Sequence, residues 1–231
     1  MNKIVAKVLA VAITLSVLAC GQQPPRQDDG RDGFVYVRDI IPDVVLDVRY
    51  FSNNNFMGTR ADGYRRAVLL ISKPAASALA SVQDELRPQG LGLKIFDGYR
   101  PQKAVDHFLR WSKDPTDTLT KQTYYPDLPK DRLFELGYIA KRSGHTRGST
   151  LDLTVIDLAS GKEIDMGGSW DFFGDVSHHD SPLVDSKATA NRELLRQTML
   201  RHGFSPYANE WWHYTLKNEP YPDTYFDFDV K

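Results

Sequence analysis

Residues 143–155 read SGHTRGSTLDLTV. In the second half Leu151, Leu153 and Val155 alternate with Asp152 and Thr154, the period-2 pattern of a strand that lays one face on a core. Asp152 and Thr154 are therefore expected on the other, open face. Gly148 gives the preceding segment freedom to bend, so His145 is expected in a loop that runs straight into the strand. A carboxylate on the open face of a strand, beside an imidazole from the entering loop, makes half of a zinc site, since zinc takes nitrogen and oxygen ligands tetrahedrally. One His and one Asp seven residues apart also arise by chance. Alone, the pair is suggestive and not specific.

The other half stands near the C-terminus, in NEWWHYT, residues 209–215. His213 can add a third ligand and Glu210 a spare carboxylate. Three protein ligands leave a fourth position for water, which is the catalytic arrangement of zinc. A cysteine-rich structural site is excluded, because Cys20 is the only cysteine. A glutamate beside such a site can take a proton from water as it attacks a carbonyl and hand it to the leaving amine. In an ideal strand residues 210 and 213 face opposite ways, so Glu210 is expected in a turn or bulge just before the strand that carries His213. For one of Trp211 and Trp212 simple core or rim packing is the favoured reading; the pair could also wall the site and keep it dry. His178 and His179 are adjacent and rank lower as ligands, while His107 and His202 read as structural helix residues.

Outward from these segments the chain reads as α+β. FVYV from Phe34, VVLDVRY at 44–50 and residues 67–71 look like short strands. Ser72 caps a helix with Ala75, Ala78, Leu79, Val82 and Leu86 at helical spacing, which Pro88 and Gly90 stop. LGLKIF at 91–96 is a half-buried strand that runs into the turn DGYRP, and Pro101 opens a helix with Ala104, Val105, Phe108 and Leu109 on its apolar face. Arg100 thus sits at a strand-to-helix junction. A last helix is expected over 185–202, with Leu194, Leu195 and Met199 inward and Gly203 ending it. Strands grouped with helices on one face imply α+β rather than regular βαβ winding.

Of the 231 residues 41% are hydrophobic, enough for a packed core. The net charge of −1 and the lack of any basic run exclude a nucleic-acid footprint. The N-terminus differs. Lys3 and Lys7 precede an apolar run, residues 8–19, too short to span a bilayer comfortably, so residues 1–19 read as a secretory signal. SVLAC, ending at Cys20, resembles a lipobox, in which the cysteine is lipidated. That makes the expected product an exported, periplasm-facing lipoprotein, held to the membrane only by its N-terminal lipid and sorted to the outer membrane by Gly21. Residues 20–33 lack large apolar side chains until Phe34 and read as a tether, leaving 34–231 as the domain.

Taken together and in order, DGYRP, SGHTRGSTLDLT, MGGSWDFF, SHH, EWWHY and EPYPDTYFDF resemble the bacterial zinc D-alanyl-D-alanine dipeptidases of the VanX type. The resemblance spans about residues 37–231. It implies the hedgehog/DD-peptidase fold, an α+β domain with a central antiparallel sheet and flanking helices, and one zinc ion on His145, Asp152 and His213. It also implies Glu210 as the base, Arg100 as the group that holds the developing oxyanion, Asp171 with Tyr64 on the ammonium of a small D,D-dipeptide, and Ser143 on its carboxylate. Gly144 departs from the serine common in relatives. The sister activity, D,D-carboxypeptidase or endopeptidase action on peptidoglycan stems, is disfavoured by Asp171. A binding protein without catalysis would have no use for Glu210.

Overall fold

The structure, a computed structural model, describes residues 31–231. The signal, Cys20 and residues 20–30 of the expected tether lie outside the described residues. Residues 31–33 of that tether pack on the domain: the Lys73 N–H donates to the Gly33 carbonyl (2.9 Å) and the Arg31 guanidinium lies over Phe228.

In chain order the elements are β1 (Phe34–Tyr36), α1 (Val37–Ile40), β2 (Val45–Leu46), β3 (Leu70–Ser72), α2 (Lys73–Leu86), β4 (Leu91–Asp97), α3 (Gln102–Ser112), α4 (Lys121–Tyr124), β5 (Thr150–Asp157), α5 (Ser186–Arg201), β6 (Phe204–Tyr207) and β7 (Glu210–Leu216). β1 and β3 form a small antiparallel sheet. The central sheet has the order β2-β4-β5-β7-β6 and is antiparallel except at the short edge strand β2, which runs parallel to β4. The α+β architecture follows the sequence reading.

Local chemistry explains the helices. The Ser72 hydroxyl accepts the Ala75 N–H at the start of α2, and the Asp185 carboxylate accepts the Ala188 N–H at the start of α5, each satisfying a donor that has no partner within the helix. α2 buries Ala75, Leu79, Val82 and Leu86 and packs on β4, while α5 packs on β6 and β7. Each buried leucine or valine contributes roughly 1.5–3 kcal/mol of transfer free energy.

Four expectations are corrected. β1 stops at Tyr36, and Val37 opens a helix with its N–H on the Leu69 carbonyl. Only Val45–Leu46 of VVLDVRY is extended, because Asp47 pairs with Lys94 and Arg49 and residues 49–51 tighten into a 3-10 turn that drives Tyr50 into the core, 1% exposed. Leu194 is only half-buried, and Arg192 takes the inward position on α5. The face of β5 that carries Asp152 and Thr154 is covered too, leaving these residues 2% and 0% exposed. Phe96, on that same face, meets Trp170, which meets Tyr50, so aromatic side chains roof the second face and convert it into the floor of a cavity.

Candidate metal centre and active site

Sheet register assembles the centre. Asp97 lies opposite Asp152, and Asp152 lies opposite His213; residues directly across antiparallel strands share a face. β4 is irregular between Ile95 and Asp97, and this extra residue turns Asp97 toward Asp152. A second irregularity separates the pairs Pro206–Tyr214 and Tyr207–Glu210. The residues of β7 between Glu210 and Tyr214 bulge, so Glu210 and His213 reach the same side, with Glu210 Oε2 3.3 Å from His213 Nδ1. Glu210 is the first residue of β7 rather than a residue before it, and the bulge resolves the facing problem as expected.

His145 arrives on a 3-10 turn capped by Ser143, whose hydroxyl accepts the His145 N–H. Its Nδ1 lies 2.8 Å from the Gly98 carbonyl. A carbonyl only accepts, so Nδ1 carries the proton and Nε2 is left as the ligand atom. Nε2 stands 3.2 Å from Asp152 Oδ1 and 3.3 Å from His213 Nδ1. One ligand atom each from His145, Asp152 and His213 lies within 4.8 Å of the others. Asp152 Oδ1 is buried yet aligned for a hydrogen bond with none of the described residues, an arrangement that a cation among the three donors would satisfy.

The charges fit that reading. Burial would raise the Asp152 carboxyl, but the His145 and His213 imidazoles beside it hold it well below the usual carboxylate range. Burial disfavours the His213 imidazolium, but Asp152 and Glu210 outweigh it and push the ring up to about 9. The electrostatics of the cluster thus favour a positive charge beside Asp152 and Glu210.

Arg100 lines the same cavity. Its Nε donates to Asp97 Oδ2 (2.8 Å) and one terminal nitrogen to Asp152 Oδ2 (3.4 Å), while its plane lies over the Tyr50 and Phe108 rings. Asp171 lines the same cavity, is 6% exposed, and accepts the Tyr50 hydroxyl at 2.6 Å. Burial pushes the Asp171 carboxyl well above its ordinary range, and the charge of Asp152 adds to the effect. Asp171 is also the one non-glycine among the described residues with positive φ, +57°. The cavity that these groups line, with Ser143, Tyr138 and Phe173, has a volume of about 280 Å³.

A family model described as "D-ala-D-ala dipeptidase" matches residues 31–231. The chain belongs to the D-Ala-D-Ala dipeptidase family. Proteins named D-alanyl-D-alanine dipeptidase from Streptomyces coelicolor, Enterococcus faecalis and Enterococcus faecium are 45%, 43% and 39% identical to it. The matches cover 85%, 86% and 86% of this chain and 98% of each relative.

In this member of the dipeptidase family, His145, Asp152, His213, Glu210, Arg100, Asp171 and Ser143 all line one cavity. Tyr64 does not. It is 1% exposed and its hydroxyl donates to Asp97 Oδ1 (2.6 Å), so it braces the acid that holds Arg100 and does not reach the cavity. Tyr50 stands where Tyr64 was expected, bonded to Asp171. The sequence reading missed both Tyr50 and Asp97; Asp97 had a local signal, an acid three residues before Arg100 in DGYRP, whereas Tyr50 had none. Trp211 and Trp212 are 2% and 1% exposed, outside the cavity lining, and serve the core. His107 lies beside Asp62 and His202 pairs with Glu85, both away from the centre.

Proposed function

We propose that the protein is a zinc-dependent hydrolase of D-alanyl-D-alanine and related small D,D-dipeptides. The observation that carries this reading is the convergence of three ligand atoms, a further carboxylate, a guanidinium and a buried acid on one small cavity. The donor set, two imidazole nitrogens and a carboxylate oxygen, suits zinc. Held by His145 Nε2, Asp152 and His213 Nδ1, zinc would lower the pKa of a water toward roughly 7 and polarise the scissile carbonyl.

The chain's own groups do the rest. Glu210 accepts the proton of the attacking water and passes it to the leaving amine. Arg100, its fork pre-oriented by Asp97 and two aromatic rings, donates to the carbonyl oxygen as negative charge grows there, an interaction worth about 3–4 kcal/mol in comparable sites. Asp171, braced by Tyr50, pairs with the substrate ammonium. The Ser143 oxygen accepts the His145 N–H and keeps its own O–H to donate to the substrate carboxylate.

Size and charge favour dipeptides. The cavity's volume of about 280 Å³ falls at the lower edge of the roughly 300–1,000 Å³ of small-molecule pockets. An acylated amino terminus offers buried Asp171 no cation to pair with, so a longer stem forgoes the interaction that a free ammonium gains there.

Export belongs to the proposal. The basic start, the apolar run to residue 19 and Cys20 support a lipoprotein facing the periplasm from the outer membrane. The family match begins at residue 31, so this leader lies outside the region shared with the family. Metabolic labelling with a palmitate analogue, lost in Cys20→Ser, checks it.

The deciding experiment measures D-alanine released from D-Ala-D-Ala with and without chelator, with zinc restored, and in Glu210→Ala. Zinc should restore the rate, and Glu210→Ala should lower kcat by about 10²–10⁴-fold while keeping its zinc. Cleavage of pentapeptide stems with D-Ala-D-Ala left intact would assign the sister carboxypeptidase activity instead.

A further inference from the structure

Arg192 is 1% exposed on the inward side of α5, and burial pulls its guanidinium down to about 10. Its hydrogen-bond partners are carbonyls. Nε donates to Met166 O (2.6 Å), one terminal nitrogen to His178 O (2.7 Å) and the other to Val176 O (2.8 Å). All three acceptors belong to the loop 166–178, one near its start and two near its end. The same loop carries Asp171.

Burying a cation against neutral acceptors is costly, and a loop that needed only stability would be held as well by apolar packing. What apolar packing does not supply is a fixed fork that sets the distance between two backbone segments. Asp171 has need of it. Its left-handed backbone, φ +57°, costs on the order of 1–3 kcal/mol and persists only where the surroundings over-determine it. Within the loop the Phe173 N–H donates to Tyr124 O (2.7 Å) and the Ser177 hydroxyl to Phe172 O (2.5 Å). Arg192 is the side chain that ties both ends of the loop to a helix.

We propose that Arg192 is a positioning residue for substrate selection: by joining the two ends of the 166–178 loop it holds Asp171 where a free ammonium binds, a role that rests on the reading of Asp171 given above. The hydrogen bonds of Arg192 reach neither the metal-ligating side chains nor Glu210; its guanidinium also lies 5.8 Å from the centroid of the Trp211 ring, which packs in the core.

The test compares the full-length zinc enzyme with Arg192→Lys and Arg192→Gln. Each variant removes at least one bond to a charged donor, so KM for D-Ala-D-Ala should rise on the order of tenfold, with kcat within about threefold and zinc content unchanged. The ratio of kcat/KM for D-Ala-D-Ala over N-acetyl-D-Ala-D-Ala should fall by the same factor. A lowered melting temperature with KM and that ratio unchanged would overturn the proposal. So would failure of both variants to fold, since a residue that acts on one loop leaves the rest of the structure standing. Hydrogen exchange reads the loop without substrate: amides of residues 167–177 should lose on the order of tenfold protection while β5 and β7 keep theirs, and equal loop protection would refute the clamp. Loss of loop protection in an enzyme inert toward D-Ala-D-Ala would refute only the assignment of the substrate.

Discussion

Tyr50→Phe isolates the ammonium subsite. The substitution removes one hydroxyl, 2.6 Å from Asp171 Oδ2, and keeps the ring that lies under Arg100. In the free enzyme burial and the neighbouring Asp152 push the Asp171 carboxyl up and favour its neutral form, for which the bond to the hydroxyl is worth about 0.5–1.5 kcal/mol. With the substrate ammonium bound the acid is ionised, and the same bond is worth about 1.5–3 kcal/mol. The difference, about 1–2 kcal/mol, raises KM about five- to thirtyfold. kcat should stay within about threefold, because Arg100 keeps its aromatic support. Tyr50 also lowers the Asp171 pKa, so its loss should move the acidic limb of kcat/KM to higher pH. Steady-state rates of D-alanine release across a pH series, with a melting curve to verify folding, measure all three. An unchanged KM together with an unmoved acidic limb would show that Asp171 and Tyr50 do not receive the ammonium.

Three further outcomes follow from the geometry. The folded pKa of Asp171 lies above its unfolded value, so the folded chain keeps a proton that the unfolded chain has lost and stability falls as pH rises through that window. Asp171→Asn should therefore melt with wild type near pH 4 and exceed it at pH 8 by about 0.5–2 kcal/mol, while losing dipeptide hydrolysis; equal melting at both pH values refutes the burial argument. With the His213 ring at about 9 in the metal-free site, its pairing with Asp152 and Glu210 stabilises the metal-free protein below the ordinary histidine range and is lost as pH rises through about 9. Zinc must displace that proton, so apparent zinc affinity should weaken on the order of tenfold per pH unit on acidification below that point, as competition titration with a chromogenic chelator would read. At Gly148, with φ +85°, a Cβ would stand 2.1 Å from a ring carbon of Phe34. Gly148→Ala should cost about 2–4 kcal/mol and weaken zinc binding, since the turn joins His145 to Asp152; an unchanged melting temperature would contradict it.

Much of the fold was legible because its signals are local. Alternation in LDLTV, the caps Ser72 and Asp185, and the glycines after α2 and α5 act within a few residues of where they stand. The reading failed where long-range contacts overrode local pattern. VVLDVRY has the texture of a strand, but ion pairs to β4 and the pull of the aromatic core on Tyr50 end it after two residues. Nothing local in the sequence singles out Arg192; the 166–178 loop supplies the three carbonyls that hold it inward.

The sequence alone determined the family: two imidazoles, an aspartate and a glutamate in two short motifs are metal-ligand and acid–base residue types, and with the other motifs in order they carry the likeness to the dipeptidases. Tertiary structure decided how those groups face one another and what braces them. Two sheet irregularities bring Asp97, Asp152, His213 and Glu210 to one side, and the hydroxyl that meets Asp171 comes from Tyr50, 121 residues away, while Tyr64 turns to Asp97. No local period distinguishes those two tyrosines, because the hydroxyl that reaches the cavity depends on how distant turns pack against the same aromatic core.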